Sequence, residues 1–315
     1  MRFLITGGNG FIGSNFILYL LKKFPKSSII NLDANLAGSN SRNLNSVRNL
    51  KNYQFIRGNI KNKKLVDKLC KISDIVINFA AESHVDRSIT DPQSFVTTNV
   101  LGTSIILDSI RKYDKKLIQI STDEVFGSLT KNSATEDFLL NPSSPYSASK
   151  SAAELLAQSY FTTYNSDIVV TRCTNNFGPR QFPEKLIPKT ILLALQNQKI
   201  PIYGTGNNVR DWIYVFDHCD AILKIAMKGK SGESYNISGN NEIDNNTIVK
   251  KILKILDKPN SLIQYVKDRP GHDFRYSLNS KKLTHELKWK PYHDFDQGLQ
   301  STIDWYVKNQ KWWLI

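Results

Sequence analysis

Cysteine is scarce in this chain of 315 residues and 35.9 kDa, and the little there is excludes two classes of protein. Cys70, Cys173 and Cys219 are odd in number, far apart and never paired as CxxC. They make neither a disulfide framework nor a structural zinc site, which suits a reduced, cytoplasmic protein. The five histidines, His84, His218, His272, His285 and His293, are dispersed without metal-ligand spacing, so no metal site is expected. Long apolar runs are missing too. Phe16–Leu21, the longest near the N-terminus, is six residues, against about 20 for a membrane span. No basic segment leads into an apolar stretch and a small-residue cleavage site, so neither a signal peptide nor a membrane partner is expected. Sixteen Gly and eleven Pro, scattered, exclude a collagenous or low-complexity chain.

What is present is ordinary globular composition, 40% hydrophobic and 22% charged, with one imbalance. Forty-two Lys and Arg against 28 Asp and Glu leave a net charge of +14. Such charge suits a nucleic acid, an anionic small substrate or mere solubility. The basic residues fall in KK and KNKK clusters without interleaved aromatics or a nucleic-acid motif, so no nucleic-acid partner is expected.

The first half alternates. Apolar strand-like runs at Phe3–Ile5, Ile29–Leu32, Tyr53–Ile56, Ile75–Phe79, Leu117–Ile120 and Ile168–Val170 enclose helical patterns at Phe11–Lys23, Lys64–Ile72, Ser94–Lys112 and Tyr146–Tyr164. Strands that are apolar throughout, separated by helices, predict a Rossmann-type α/β fold, a doubly wound parallel sheet covered on both faces. After Cys173 the rhythm breaks. A loop over Asn176–Pro188, a helix through Leu195, strands near Pro201–Tyr203 and Trp212–Val215, and helices near Asn245–Leu256 and Phe295–Val307 predict a smaller C-terminal α/β substrate-binding lobe. The division expected is 1–173 for the dinucleotide domain and 174–315 for a lobe that does not fold alone, with part of 201–240 free to return to the sheet.

Strand Phe3–Ile5 runs into Gly7-Gly8-Asn9-Gly10-Phe11-Ile12-Gly13. Gly7, Gly10 and Gly13 allow a tight turn, close approach of backbone to a pyrophosphate and tight helix packing, and the helix from Phe11 aims its N-terminus at that phosphate. Asp33 closes the next strand where an acid accepts hydrogen bonds from an adenosine ribose. An acid there repels a 2′-phosphate, and Ala34-Asn35-Leu36 brings no Arg to reverse this, so the expected cofactor is NAD.

A second group follows strand Leu117–Ile120, which ends in Ser121-Thr122-Asp123-Glu124. Farther on, Tyr146-Ser147-Ala148-Ser149-Lys150 opens a helix, and residues four apart share a helical face. An ammonium beside a phenol favours the phenolate, which makes Tyr146 a candidate base, while Lys150 can also hold a ribose. Asp123 and Glu124 would point to opposite faces of a strand, but just past its end a turn can aim both into the cleft as a split acid and base.

The order Gly7-x-x-Gly10-x-x-Gly13, Thr122 and Tyr146-x-x-x-Lys150 resembles the extended short-chain dehydrogenase/reductase superfamily and, within it, the dTDP-glucose 4,6-dehydratase family. The strings 80–88 (AAESHVDRS), 121–125 (STDEV), 143–150 (SSPYSASK), 182–188 (FPEKLIP) and 268–273 (DRPGHD) carry that resemblance over nearly the whole chain. It implies a hydro-lyase that oxidises C4 of a nucleotide-bound glucose, loses water across C5 and C6, and returns the hydride to C6, in deoxysugar biosynthesis. Tyr146 would take the O4 proton, Thr122 bind that oxygen, Glu124 remove the C5 proton and neutral Asp123 protonate the departing hydroxyl. Related epimerases lack the Asp-Glu pair, and GDP-mannose dehydratases resemble a version with Ser at position 123. The resemblance also implies NAD contacts at Phe11, Ile12, Asp33, Ala34, Asn35, Asn59, Ile60, Ala80, Ala81, Ser83, Thr98 and Asn176. Nucleotide-sugar contacts are implied at Ser83, Asn175, Lys185, Leu186, Pro201, Ile202, Tyr203, Arg210, Asn245, Arg269 and His272. Two departures stand out: Asn59 where the family has Asp, and Phe126 where many members carry a Tyr hydroxyl beside the acids.

Arg210 and Arg269 make sense independently, since guanidinium forks suit phosphate, although Arg210 beside Asp211 also suits an ion pair and His272 a turn. Three readings stay open beside a thymidine-linked substrate: a dehydratase for UDP-glucose, a non-catalytic NAD-binding sensor, and a nucleic-acid binder resting on charge alone. A sensor needs only the glycine loop and Asp33, so the full set Thr122, Asp123, Glu124, Tyr146 and Lys150 favours an enzyme. Apolar residues beyond one face of the Ser94–Lys112 and Tyr146–Tyr164 helices (Ile105, Ile106, Leu155, Leu156, Phe161) suggest a homodimer, and the resemblance implies a four-helix contact.

Overall fold

Seven short strands, all but one edge strand almost wholly buried, set the frame of the computed structural model, which describes residues 1–313. In chain order the first half runs β1 (Arg2–Thr6), α1 (Phe11–Lys23), β2 (Ser28–Asp33), β3 (Tyr53–Arg57), α2 (Lys63–Lys71), β4 (Ile75–Asn78), α3 (Val85–Thr90), α4 (Pro92–Phe95), a π-helical turn (Val96–Leu101), α5 (Gly102–Tyr113), β5 (Lys116–Ile120), α6 (Pro145–Tyr164) and β6 (Ile168–Cys173). The second half adds β7 (Asn175–Phe177), α7 (Leu186–Leu195), β8 (Ile200–Tyr203), β9 (Val209–Tyr214), α8 (Val215–Lys228), β10 (Ser234–Ile237), β11 (Glu242–Asp244), α9 (Asn245–Ile255), β12 (Ile263–Val266), α10 (Lys281–Leu287), α11 (Phe295–Lys308) and α12 (Gln310–Trp313).

The main sheet has the order β3-β2-β1-β4-β5-β6-β10 and is parallel throughout. The fold is the expected doubly wound, Rossmann-type one. Phe16, Leu20, Tyr235 and Trp289 bury one face of the sheet, with α1 and α8 above it. Val66, Leu69, Ile106, Leu107 and Ala157 bury the other, under α2, α5 and α6. Sheet order reverses between β1 and β4, and the carboxyl ends of strands beside such a switch form the crevice where ligands bind. A smaller three-stranded sheet, β11-β9-β7, and the parallel pair β8 and β12 lie in the C-terminal half, around Phe177, Trp212, Tyr214 and Phe295.

Three features depart from the reading of the sequence. The helix expected over Ser94–Lys112 is broken into α4, the π-helical turn and α5. A π-helical turn shifts side chains that follow it, and such turns recur at functional sites; here it carries Thr98 and Asn99, both buried. Helix α8 was not assigned from sequence although Val215, Cys219, Ile222 and Ala226 recur at helical spacing, and strand β10 is the part of 201–240 that returns to the sheet, beside β6. Of the apolar residues taken as a second stripe, Ile106 is fully buried, Ile105 and Leu156 pack on the same core, and Phe161 abuts Gly232. Of the five only Leu155 is exposed; Val96 and Leu101, which the sequence did not single out, are exposed as well.

Helix α6 is tied to the sheet by a buried ion pair. Arg172 on β6 donates from Nε to Glu154 at 2.8 Å, with a second guanidinium bond to the same oxygen and a third to the Glu136 carbonyl. Breaking such a pair from one side strands a charge, at about 3–5 kcal/mol, whereas an apolar replacement of both members is often neutral. Glu154→Ala should lose that much stability in urea unfolding, and Glu154→Leu with Arg172→Met should lose less than the single variant. A loss under about 1 kcal/mol for Glu154→Ala would show that the pair is not buried as described.

Candidate active site

The crevice is built from its glycine turn outward. Gly7 follows β1 at φ +69, and a Cβ there would stand 2.7 Å from the Ala80 nitrogen at the end of β4. A Cβ on Gly13 would stand 2.4 Å from the Gly7 carbonyl. Both positions therefore require glycine, and they let the turn sink between two strand ends. Gly10 caps α1 without a side-chain bond, so the first-turn amides of a long helix remain available to an anion. Asp33 ends β2 buried; its Oδ2 accepts from the Asn9 amide (2.8 Å) and its Oδ1 from the Asn35 amide (2.7 Å) and Ser39 hydroxyl (3.0 Å). A carboxylate takes about four such bonds, which leaves an acceptor site for a ribose hydroxyl.

The reacting end forms where β5 runs out. Thr122 caps a 3₁₀ turn, Asp123–Phe126, and this turn rather than a strand orients the two acids. Its hydroxyl donates to Asp123 Oδ1 at 3.1 Å, while Asp123 Oδ2 is buried and finds no partner among the described residues. Burial first, and the neighbouring Glu124 charge second, raise the Asp123 carboxyl well above its usual range. Burial also raises Glu124, and Lys185, Arg269 and Arg210 limit that rise without cancelling it. The pocket therefore keeps the proton on Asp123 longer than on Glu124, which ionises first.

Helix α6 brings the other two groups. Ser144 and Ser147 form a capping box, and Pro145 takes the first helical turn, a combination that fixes where the helix begins. Tyr146 then meets Phe95 edge-on, ring centroids 6.2 Å apart. Lys150 donates to the Ile120 carbonyl at 2.5 Å, and burial lowers its pKa to about 8. The expected Lys150-stabilised phenolate is not what this pocket holds. Burial first, then the Glu124 charge, push Tyr146 well above a phenol's usual value, and Lys150 spends its bond on a backbone oxygen.

One cavity gathers most of the expected residues. Gly7, Gly10, Phe11, Ile12, Gly13, Asp33, Ala34, Asn59, Ile60, Ala80, Ala81, Ser83 and Thr98 line it beside Thr122, Asp123, Glu124, Tyr146, Lys150, Asn175, Asn176 and Lys185. The chain thus offers a glycine cradle, a ribose acid and a buried lysine in one groove, which fits a dinucleotide. Asn35 does not line the cavity; at φ +52 it sits behind the turn, accepting from Asn9 Nδ2. Asn59 lines it, with Oδ1 already accepting from the Lys61 amide at 2.9 Å. Phe126 points away from the acids, buried beneath Arg172 and edge-on to the exposed Phe138, so a missing hydroxyl there leaves the acid pocket untouched.

The candidates from Leu186 onward lie outside this cavity. Leu186 packs into the lobe core, and Ile202 is buried inside it, so neither presents a free side chain. Pro201 is half-buried on β8, and Asn245 opens α9. Arg210 is no surface ion pair: it is buried and donates to the carbonyls of Val209, Asp273 and Phe274, while Asp211 accepts from Ser238 and Asn241. Arg269 and Tyr203 both reach Asp86 on α3 (3.1 and 3.3 Å), and His272 pairs with Asp268 at 2.6 Å. Glu82, Cys173, Thr174, Gln181, Phe182 and Glu184 also line the cavity and were not singled out from sequence. Cys173 and Thr174 stand at the carboxyl end of β6, a position the switch-point rule identifies once the sheet order is known. Glu184 gave no local signal; Arg87 donates to it at 2.5 Å across the groove.

A doubly wound sheet whose switch point meets a Tyr-Lys helix and a buried acid pair defines an extended short-chain dehydrogenase/reductase. The family model for GDP-mannose 4,6 dehydratase matches residues 4–302, and the chain belongs to that family. A probable dTDP-glucose 4,6-dehydratase of Sinorhizobium fredii is 44% identical, covering 99% of this chain and 95% of its own. A dTDP-glucose 4,6-dehydratase of Bacillus anthracis, solved in complex with NAD, is 46% identical with TM-score 0.94, covering 100% of this chain and 99% of its own. The Streptomyces venezuelae dTDP-glucose 4,6-dehydratase, solved with NAD and a second ligand, is 41% identical with TM-score 0.97 over 99% of each chain.

The raised Asp123 carboxyl has a consequence for stability. Below the ordinary carboxyl range both folded and unfolded chains hold this proton, and it costs nothing. Above that range the unfolded chain releases it while the folded chain keeps it, so the wild type loses stability as pH rises toward the folded pKa. Asp123→Asn cannot titrate and should melt higher than wild type by a margin that grows from pH 4 to pH 8. A margin constant across that range in calorimetric scans would place the proton elsewhere.

Proposed function

We propose that this chain is an NAD-dependent dTDP-glucose 4,6-dehydratase, converting dTDP-glucose to dTDP-4-keto-6-deoxyglucose and water. The observation that carries the reading is the acid pair: a buried Asp123 that holds its proton beside a Glu124 that ionises first, next to Tyr146 and Lys150. A sensor would have no use for two carboxyls whose environments separate their protonation. Full-length relatives bearing the same name support the substrate. A UDP-linked sugar differs by one methyl group, worth about 1–3 kcal/mol in a pocket, and parallel assays with both nucleotides decide between them.

Bound NAD supplies a hydride acceptor and donor. The chain's own groups do the rest. Tyr146 first releases its own phenol proton to solvent and, as phenolate, takes the proton from O4, with Thr122 on that oxygen and the Lys150 ammonium beside it. Oxidation at C4 acidifies the C5 proton, which Glu124 removes. Asp123 gives its proton to the C6 hydroxyl, which leaves as water, and Glu124 then returns a proton to C5. Lys185 and Arg269, cations whose charge favours the ionised form of Glu124, sit on the loops that would meet the nucleotide. Residues 1–173 supply cofactor and reacting groups, and 174–315 supply those loops while lending β10 to the sheet. The three cysteines, all buried and free, suit a cytoplasmic enzyme.

The chain works as a homodimer. Val96, Leu101 and Leu155 are each more than half exposed on packed neighbours, the π-helical turn and α6. An apolar stripe left uncovered on such helices favours a second copy through a four-helix contact. Sedimentation should give a dimer at micromolar concentration and a monomer for Leu101→Arg; a wild-type monomer would remove this contact.

The roles of the acids separate in solvent exchange. Tyr146→Phe should show no transient NADH. Glu124→Gln and Asp123→Asn should both oxidise C4 yet form product about 10²–10⁴-fold more slowly than wild type. In deuterated water Asp123→Asn should still exchange the C5 proton and Glu124→Gln should not. Exchange at the wild-type rate by Glu124→Gln would mean that the base is misassigned.

A further inference from the structure

The ribose side of the crevice is walled by a segment with no strand of its own. Leu36, Ala37, Gly38 and Ser39 line the cavity, and a short 3₁₀ turn, Ser41–Leu44, follows them. Leu44 and Val47 anchor the far end of this segment in the core. Near the cavity it hangs on hydrogen bonds that converge on one carbonyl. The Asn40 amide and Asn43 Nδ2 both donate to the Asn9 carbonyl at 3.0 Å. Asn9 lies inside the glycine turn, and its remaining polar atoms are committed too: its amide to Asp33, its Oδ1 to Asn31 (2.8 Å), its Nδ2 to Asn35 (2.6 Å). Asn9 and Asn43 are both nearly inaccessible to solvent.

The other end of Asn43 leads out of the domain. Its Oδ1 accepts from the indole Nε1 of Trp312, at 2.8 Å, and the neighbouring Arg42 donates to the Lys311 carbonyl at 3.3 Å. Trp312 packs edge-on against Trp305 and Tyr306, and the Tyr306 hydroxyl donates to the carbonyl of Gln181 on another wall of the same cavity. The aromatic end of the chain therefore touches two walls of the crevice without entering it.

We propose that Trp312 and Asn43 are positioning residues: through Asn9 they hold the glycine turn and the ribose wall in their binding-competent shape, so that helix α12 governs retention of NAD. The inference rests on the NAD-binding reading of the crevice and not on which sugar the enzyme takes. Without the indole N–H, the Asn43 carbonyl oxygen is buried unpaired, and the amide loses the partner that fixes its orientation. The 36–44 wall then visits other conformations, and apparent affinity falls by the fraction of molecules still competent.

The test uses the full chain freed of nucleotide, with NAD affinity read by calorimetry. Trp312→Phe keeps the ring packing and removes only the donor. Its NAD dissociation constant should rise about 5- to 50-fold, with kcat at saturating NAD within about twofold of wild type. Asn43→Ala should lose at least as much, and the double variant no more than Asn43→Ala alone, because one chain of bonds is cut twice. A Trp312→Phe affinity within twofold of wild type, whatever its melting temperature, overturns the proposal, as do losses that add in the double variant. A wild type that binds NAD but makes no keto product from dTDP-glucose would instead overturn the reaction and leave this clamp standing.

Discussion

A carboxyl with nowhere to put its charge governs the reacting end of this protein. Asp123 Oδ2 is sealed from water without a partner, and its neighbour in sequence is a second acid. Two ionised carboxylates could not share that position, so one must keep a proton. Which one is decided from across the crevice. The cations that favour an ionised Glu124 come from the 182–186 loop, β9 and the 268–272 loop, all beyond Cys173. The sheet supplies the acids, the lobe sets their protonation, and neither half is complete without the other.

The same dependence explains why so much of the lobe is spent on holding loops. Asp273 accepts from Ser143, the residue before the cap of α6, and from Tyr276, while its carbonyl takes Arg210 and Asn208. The segment that would meet the nucleotide is thus pinned to the start of the helix bearing Tyr146 and Lys150. Arg210, which sequence assigned to phosphate, serves this scaffold with its guanidinium bonds and reaches Glu124 only through its charge. A cation with its donors spent on carbonyls is fixed in place, which is what a long-range electrostatic role requires.

The parts legible in the sequence were those that local rules determine. Gly7 and Gly13 are glycine because backbone lies where a Cβ would go, and α1 begins and ends where its pattern predicts, at Phe11 and Lys23. Strand ends place Asp33 and Thr122 without reference to anything distant. The misplaced residues depend on partners far away in sequence. Ile202 looks like a pocket residue until α7 and α9 bury it, and Phe126 looks like a neighbour of the acids until the turn sends it under Arg172. Glu184 and Asp86 have no local signature at all, since Arg87 and Arg269 meet them from 97 and 183 residues away.

Tyr146 shows where local chemistry misleads most. A lysine four residues along a helix from a tyrosine suggests a preformed phenolate, yet burial raises the phenol and lowers the amine together. The phenol then keeps its proton in this dry pocket, while the lysine, with a pKa of about 8, stays mostly charged at neutral pH and has its hydrogen bond on the Ile120 carbonyl. A base of this kind is poised rather than charged: the phenol must give up its own proton before it can take another. Keeping the pocket dry, which raises both barriers to charge, also strengthens every interaction that later stabilises it. The buried acid pair and the buried Tyr-Lys pair therefore follow one rule, in which burial holds a proton on one member, Asp123 or Tyr146, and leaves its neighbour, Glu124 or Lys150, the readier to carry charge.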